Sequence, residues 1–149
     1  MSQALRPATL DDAATLVDLM RAFYAEDGHA FRDESARRAL VGLLREPAHG
    51  RVFLIEADGQ VAGYAAVTFG YSLEFHGRDA FLDELYVRHE RRGAGLGRAA
   101  IERAAEVCRA EGIGALHLEV GSGNDTARRL YEAAGFVDRA HHLMTRRLG

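Results

Sequence analysis

Apolar positions in the first fifty residues recur at intervals of three and four. After Asp11 and Asp12, either of which can cap a helix, Leu16, Leu19, Met20 and Phe23 fall on one face. The segment YAEDGHAFRD breaks that helix, and a second is predicted from Glu34 to Arg45, stopped before Pro47. A short strand, ALRPA, precedes both. Beyond Gly50 the pattern changes to extended runs: RVFLIEA and QVAGYAAVTFGY flank Asp58-Gly59, a strong hairpin signal. DAFLDELYV reads as the next strand. Leu96 to Glu111 reads as a long helix that turns Ala99, Ala100, Ala104, Ala105 and Val107 inward. GALHLEV is then a strand, Asn124 to Ala134 a helix ended by Gly135, and FVDRA and HLMTRRL two closing strands.

This order predicts an antiparallel N-terminal half followed by one strand–helix–strand unit whose strands run parallel. The expected fold class is α/β: a mixed, mostly antiparallel sheet of six or seven strands, a central parallel pair, and about four helices. Residues 1–149 are expected to form a single domain, a length that suits one self-sufficient core. Ligands of such sheets collect at the carboxyl ends of the parallel strands, here Val87 and Val120.

Composition narrows the function classes. The net charge is -3, so no global basic field recruits nucleic acid. No apolar run approaches the ~20 residues of a membrane span, and MSQALRPATLDD has no signal-peptide core. The single cysteine, Cys108, excludes an internal disulfide and suits a reducing, cytoplasmic setting. All 19 basic residues are arginine, which removes lysine Schiff bases and the phosphate-loop lysine. His141-His142 has no third-ligand spacing, so no metal is expected. His117 reads as a satisfied strand residue, Cys108 as a small core residue and Arg128-Arg129 as a solvated helix face.

The chemistry concentrates in ELYVRHERRGAGLGRAA, where Gly93, Gly95 and Gly97 occupy alternate positions after an arginine pair. Glycine-rich loops that open helices hold phosphates. A Walker loop is excluded because Gly-Lys-Ser/Thr is absent. A dinucleotide loop is the second reading: Gly95, Gly97 and Ala100 satisfy G-x-G-x-x-A, with Glu119 about twenty residues on. Against it, RHERR separates Val87 from the glycines, Asp83 and Glu84 interrupt the strand, and the chain is short for a doubly wound domain. In the third reading Arg92 belongs to the motif, R-x-x-G-x-G from Arg92 to Gly97. Its glycines turn N–H groups toward an anion, and Arg92 and Arg98 add charge beside a pyrophosphate.

LYVRHERRGAGLGRAAIERA, followed by LEVGSGNDTARRLYEAAGF, resembles the GNAT superfamily of acetyl-CoA-dependent N-acetyltransferases. Asn124, Ala127, Leu130, Tyr131, Gly135 and Phe136 match its second segment, and LRPATLDDAATLVDL resembles its first strand and helix. His89 stands where many members have proline. The resemblance implies that main-chain groups of Leu85, Tyr86 and Val87 pair with the pantetheine arm. It implies that the loop Arg92, Gly93, Ala94, Gly95, Leu96, Gly97 and Arg98 cradles the pyrophosphate. Asn124, Ala127 and Tyr131 then face the cofactor from the last helix.

The implied reaction moves acetyl from acetyl-CoA to a primary amine by direct attack in a ternary complex, without a metal. Tyr131 matches the acid that protonates the thiolate. Glu84 and Glu119 are the base candidates, with Asp83 on the face opposite Glu84. Acceptor recognition falls on FYAEDGHAF and FGYSLEFHGRDAF, hence Tyr24, Glu26, Asp27, Phe31, Tyr71, Glu74 and Phe75. This aromatic and acidic lining suits a small cationic amine or a peptide N-terminus. No nucleic acid or membrane partner is expected, and a homodimer is allowed. A non-catalytic acyl-CoA-binding regulatory domain stays open as an alternative.

Overall fold

The structure, a computed structural model, describes residues 3–149. The chain divides into two compact units, the first ending at Glu119 and the second running from Val120 to Gly149. In the first, five strands stand in the order β1 (Gln3–Pro7), β2 (Gly50–Ala57), β3 (Gln60–Ser72), β4 (Gly77–Val87) and β5 (Leu116–His117). Neighbours pair antiparallel except β4 and β5, which are parallel. The β2–β3 turn follows from local chemistry. Asp58 and Gly59 both take positive φ, +53° and +76°, as the tight hairpin turn matched to strand twist requires.

Helices cover both faces of this sheet, which is why β2 is apolar at successive positions. α1 (Ala13–Glu26) and α2 (Asp33–Arg45) place Leu16, Leu19 and Leu40 against Val52, Leu54, Tyr64, Ala66 and Tyr86. α3 (Leu96–Ala110) places Leu96 and Ala100 against Ile55, Ala57 and Ala62 on the opposite face. Leu16, Leu19 and Leu54 have no exposed area. Truncating any one to Ala would cost about 2–5 kcal/mol, a large part of a typical domain stability of about 5–15 kcal/mol. Arg51 joins β2 to the end of α3 through two bonds to Glu111, at 2.7 and 2.8 Å.

Four expectations are corrected. The described sheet has five strands, not six or seven, and its parallel pair lies at the end of the strand order rather than the centre. Among the described residues the two closing strands do not form; within FVDRA, Asp138 accepts a bond from the Ala140 N–H at 2.7 Å and Ala140 takes φ +57°, a turn that interrupts that run. Val137, Leu143, Met144 and Leu148 are exposed there. On α3, Ala99 is exposed while Ile101 and Cys108 are buried, because the inward stripe runs Leu96, Ala100, Ile101, Ala104, Cys108.

In the second unit α4 (Asp125–Ala133) is capped at both ends. The Asn124 side chain accepts the Ala127 N–H at 3.2 Å. After the helix, Gly135 at φ +95° lets its own N–H reach Glu132 and the Phe136 N–H reach Tyr131, each at 3.0 Å.

Candidate active site

β4 carries most of the candidate residues, and one irregularity decides which way they point. Its pairing with β3 slips between Ala66 and Val67, so Asp83 is the extra residue of a bulge. Phe81, Glu84 and Tyr86 therefore share a face with Thr68, Ala66 and Tyr64, the face that α1 and α2 cover. Asp83 is exposed.

Glu84 is half-buried and bound by two phenols. Tyr64, 2% exposed, donates to its Oε1 at 2.6 Å, and Tyr24 donates to Oε2. Burial pushes the Glu84 carboxyl above its ordinary range; the two hydroxyls pull the other way, and the Asp83 charge adds to the rise. Burial, then the bond to Glu84, pushes the Tyr24 hydroxyl up as well, so it is a donor at neutral pH. Phe31 packs edge-on against Tyr24, ring centres 5.3 Å apart, and Arg21 lies 5.7 Å over Phe31.

Beyond Glu84 the outer edge of the strand has no ladder partner among the described residues. Arg88 N–H donates to Ala62 O at 2.7 Å, so Arg88 and Tyr86 turn their backbone groups toward β3. Leu85 and Val87 consequently turn theirs away. On that side the ladder to β5 holds only Ala80 with Leu116 and Phe81 with His117. Gly63, paired with Val87, lets the backbones approach closely: a Cβ there would lie 2.0 Å from Tyr86 O.

β4 runs directly into the glycine loop. Gly93 and Gly95 take φ +87° and +80°, and Gly95 caps α3. A Cβ at either would stand in open space. The first N–H groups of α3, on Leu96, Gly97 and Arg98, have no acceptor within the helix. Left-handed glycines followed by a helix N-terminus make a main-chain anion cradle, and the unladdered β4 edge offers an extended partner beside it. Both fit a nucleotide thioester with a pyrophosphate and an amide-bearing arm.

The arginines around this loop are tied into the scaffold instead. Arg92 pairs with Glu26 at 2.5 Å, donates to Val87 O at 2.9 Å and lies 5.6 Å over the Tyr86 ring. That pairing holds the Glu26 carboxyl below its usual range. Arg98 bonds Glu102 on its own helix at 3.2 Å, and Arg88 bonds Val61 O at 3.1 Å. A depression of about 170 Å³ lined by Ala57, Asp58, Glu90, Arg91, Arg92, Ala94 and Leu96 adjoins the loop; it is smaller than the ~300–1,000 Å³ of a ligand pocket.

The remaining sequence candidates divide. Tyr24 and Phe31 come together at Glu84. Glu26 is turned to Arg92, and Asp27 is exposed at the end of α1. Tyr71, 75% exposed, and Glu74 lie around the β3–β4 connection. Glu119 is exposed, past the last residue of β5. In the second unit, Asn124 uses its carboxamide as the α4 cap, Ala127 supplies the capped N–H, and Tyr131 packs edge-on to Phe136 at 6.0 Å. Sequence reasoning missed Tyr64. Its only sequence signal was its place in a strand two positions from Ala66, and the β3–β4 register needed to pair it with Glu84 depends on the bulge.

The acetyltransferase (GNAT) family profile matches residues 14–136. Streptothricin acetyltransferase of Streptomyces lavendulae is 30% identical over 142 residues, covering 86% of this chain and 73% of that protein. Thialysine N-epsilon-acetyltransferase of Bos taurus is 40% identical over 78 residues, 52% of this chain and 45% of that protein. The chain thus matches a little under half the length of the bovine protein. Among solved structures, integron cassette protein HFX_CASS3 from the mobile metagenome of Cole Harbour Salt Marsh superposes with a TM-score of 0.88. It is 35% identical and covers 97% of this chain and 90% of its own. With the family profile spanning most of the sequence, the chain belongs to the GNAT family of acetyltransferases, whose typical cosubstrate is acetyl-CoA.

Proposed function

We propose that the protein is an N-acetyltransferase that moves acetyl from acetyl-CoA to the amino group of a small cationic amine. The observation that carries this reading is one continuous path: the bulge that seats Glu84 under two tyrosines, the unladdered Leu85–Val87 edge, and the left-handed glycine loop into α3. Bound acetyl-CoA supplies an activated acyl thioester. The N–H groups at the start of α3 hold its pyrophosphate, and the backbone of Leu85 and Val87 holds its arm. The Leu85 edge also offers an N–H to the oxygen that gains negative charge.

The acceptor arrives as an ammonium and must lose a proton before it attacks. Glu84 suits that step, directly or through water, because burial raises its basicity while Tyr24 and Tyr64 hold it in one orientation. Tyr131 donates the proton that the departing thiolate requires. Tyr24, Phe31 and Asp27 attract and orient the cation, with Tyr71 and Glu74 as further contacts. The named relatives support an amine acceptor: one is called for streptothricin and one for the N-epsilon of thialysine.

Thiol release from acetyl-CoA across cationic, neutral and anionic amines tests the proposal. Cationic amines should be preferred, and the preference should weaken with salt, since exposed charges are screened over ~10 Å at 0.1 M. Acetylation of neutral or anionic amines alone would overturn the substrate class. Binding of acetyl-CoA with no amine-dependent release would favour a regulatory acyl-CoA-binding domain.

A further inference from the structure

The ladder between β4 and β5 ends at Phe81 and His117. His117 is thus the last paired residue before the two strands part company. Residues paired across strands share a face, so His117 lies with Phe81 on the Glu84 side of the sheet. Asp79, paired with Gly70, lies there too. One face of the fork therefore carries a second proton-handling pair, a short way along the strands from Glu84.

The pair is held firmly. His117 Nε2 stands 3.1 Å from Asp79 Oδ2, with side chains only 18% and 13% exposed. Phe75 and Phe81 flank the ring, centres 5.0 and 5.1 Å away. Gly70 makes room for the carboxylate: a Cβ there would fall 2.9 Å from Asp79 Oδ1. Asp79 is the charged group bonded to the imidazole, and the rings packed on it are Phe75, from the β3–β4 connection, and Phe81, from β4. With Nε2–H donating to Asp79, the ring is fixed as the tautomer whose Nδ1 carries a lone pair. Glu84, by contrast, already accepts from two hydroxyls.

We propose that His117, oriented by Asp79, takes the proton released by the acceptor ammonium, in company with Glu84. The N–H bond of the ammonium breaks, its electron pair stays on nitrogen, and the proton binds His117 Nδ1. Asp79 offsets the imidazolium charge, and the proton then passes to solvent. This deepens the acetyl-transfer reading and rests on it. Asp79 is a positioning residue, acting through the ring.

The test compares the parent with His117→Gln, His117→Ala and Asp79→Asn, each first checked for acetyl-CoA affinity and thermal melting. His117→Gln and His117→Ala should lower kcat by about 10²-fold, the usual scale for one acid–base group, with KM for acetyl-CoA unchanged. Added imidazole should restore rate to His117→Ala. Asp79→Asn should lower kcat as His117→Gln does, with KM for acetyl-CoA unchanged, because the ring loses the partner that orients it. Independently of activity, the His117 ring proton signal, assigned by its loss in His117→Gln, should shift when the acceptor amine alone is added. A folded His117→Gln enzyme with parent kcat and parent pH profile overturns the proposal. So does a rise in amine KM with no change in kcat or profile. If His117→Ala does not fold, Asp79→Asn and the ring signal decide: a parent kcat and an unmoved signal overturn it. A parent enzyme that acetylates no amine removes the acetyl-transfer reading itself, and this proposal with it.

Discussion

A methyl group at Gly63 should disturb the site through the backbone alone. Its Cβ would stand 2.0 Å from Tyr86 O and 3.0 Å from both Tyr86 C and Val87 Cα. A carbon–oxygen contact settles near ~3.3 Å or more, so β3 and β4 must separate locally by over 1 Å. The obstructing atoms are main chain and cannot rotate aside. Overpacking of this kind costs about 1–3 kcal/mol, and a ladder bond lost beside it, such as Arg88 to Ala62 at 2.7 Å, costs about 1 kcal/mol more. A total of about 3 kcal/mol should lower Tm by roughly 6–12 °C in a chain of this size. Because Val87 and Tyr86 are the atoms displaced, acetyl-CoA affinity should fall as well. Gly112→Ala, past the end of α3 and away from the glycine loop, is the control. Its Cβ meets nothing within 4 Å, and only the positive φ is strained, at about 1–2 kcal/mol. Differential scanning calorimetry with an acetyl-CoA titration reads both effects. A Gly63→Ala protein that melts with the parent and binds acetyl-CoA normally would refute the reasoning.

Other outcomes follow from the same geometry. Glu84 must be ionised to accept a proton, and burial raises its pKa, so activity should fall on acidification at a pH above the ordinary glutamate value of about 4.3; Glu84→Gln should remove or flatten that limb in a kcat/KM profile. Tyr131→Phe keeps the ring and its contact with Phe136, so kcat should drop by about 10²-fold with little change in KM for acetyl-CoA. Cys108 is 3% exposed and burial pushes its thiol up, so a thiol reagent should react with it only as the protein unfolds, as timed absorbance would report.

What could be read from the sequence was what short-range chemistry decides. Asp58-Gly59 demanded a tight hairpin and forms one, the bounds of α2 and α3 lie within one residue of those expected, and α1 starts after its Asp cap but runs three residues into the segment expected to break it. The glycine loop was legible because left-handed backbone at Gly93 and Gly95 has few sequence alternatives. The site's inner wall was not. A bulge at Asp83 leaves no mark in a period-two pattern, yet it sets which side chains join Glu84, and so hid Tyr64. Arg92 read as charge for a phosphate, but its nearest carboxylate, Glu26, comes from α1, 66 positions earlier in the chain. FVDRA carries a strand's composition, and the Asp138–Ala140 turn within it overrides that composition.

The proposed activity requires the glycine loop and the β4 edge to hold acetyl-CoA. Isothermal titration of the parent and of Gly95→Val with acetyl-CoA, and of the parent with NAD, measures this directly. Acetyl-CoA should bind the parent, and NAD should not. Gly95→Val should lose acetyl-CoA while remaining folded, since a β-branched side chain at φ +80° distorts the cradle and stands in the anion's place. Equal binding of acetyl-CoA by both proteins, or binding of NAD in its place, would contradict it.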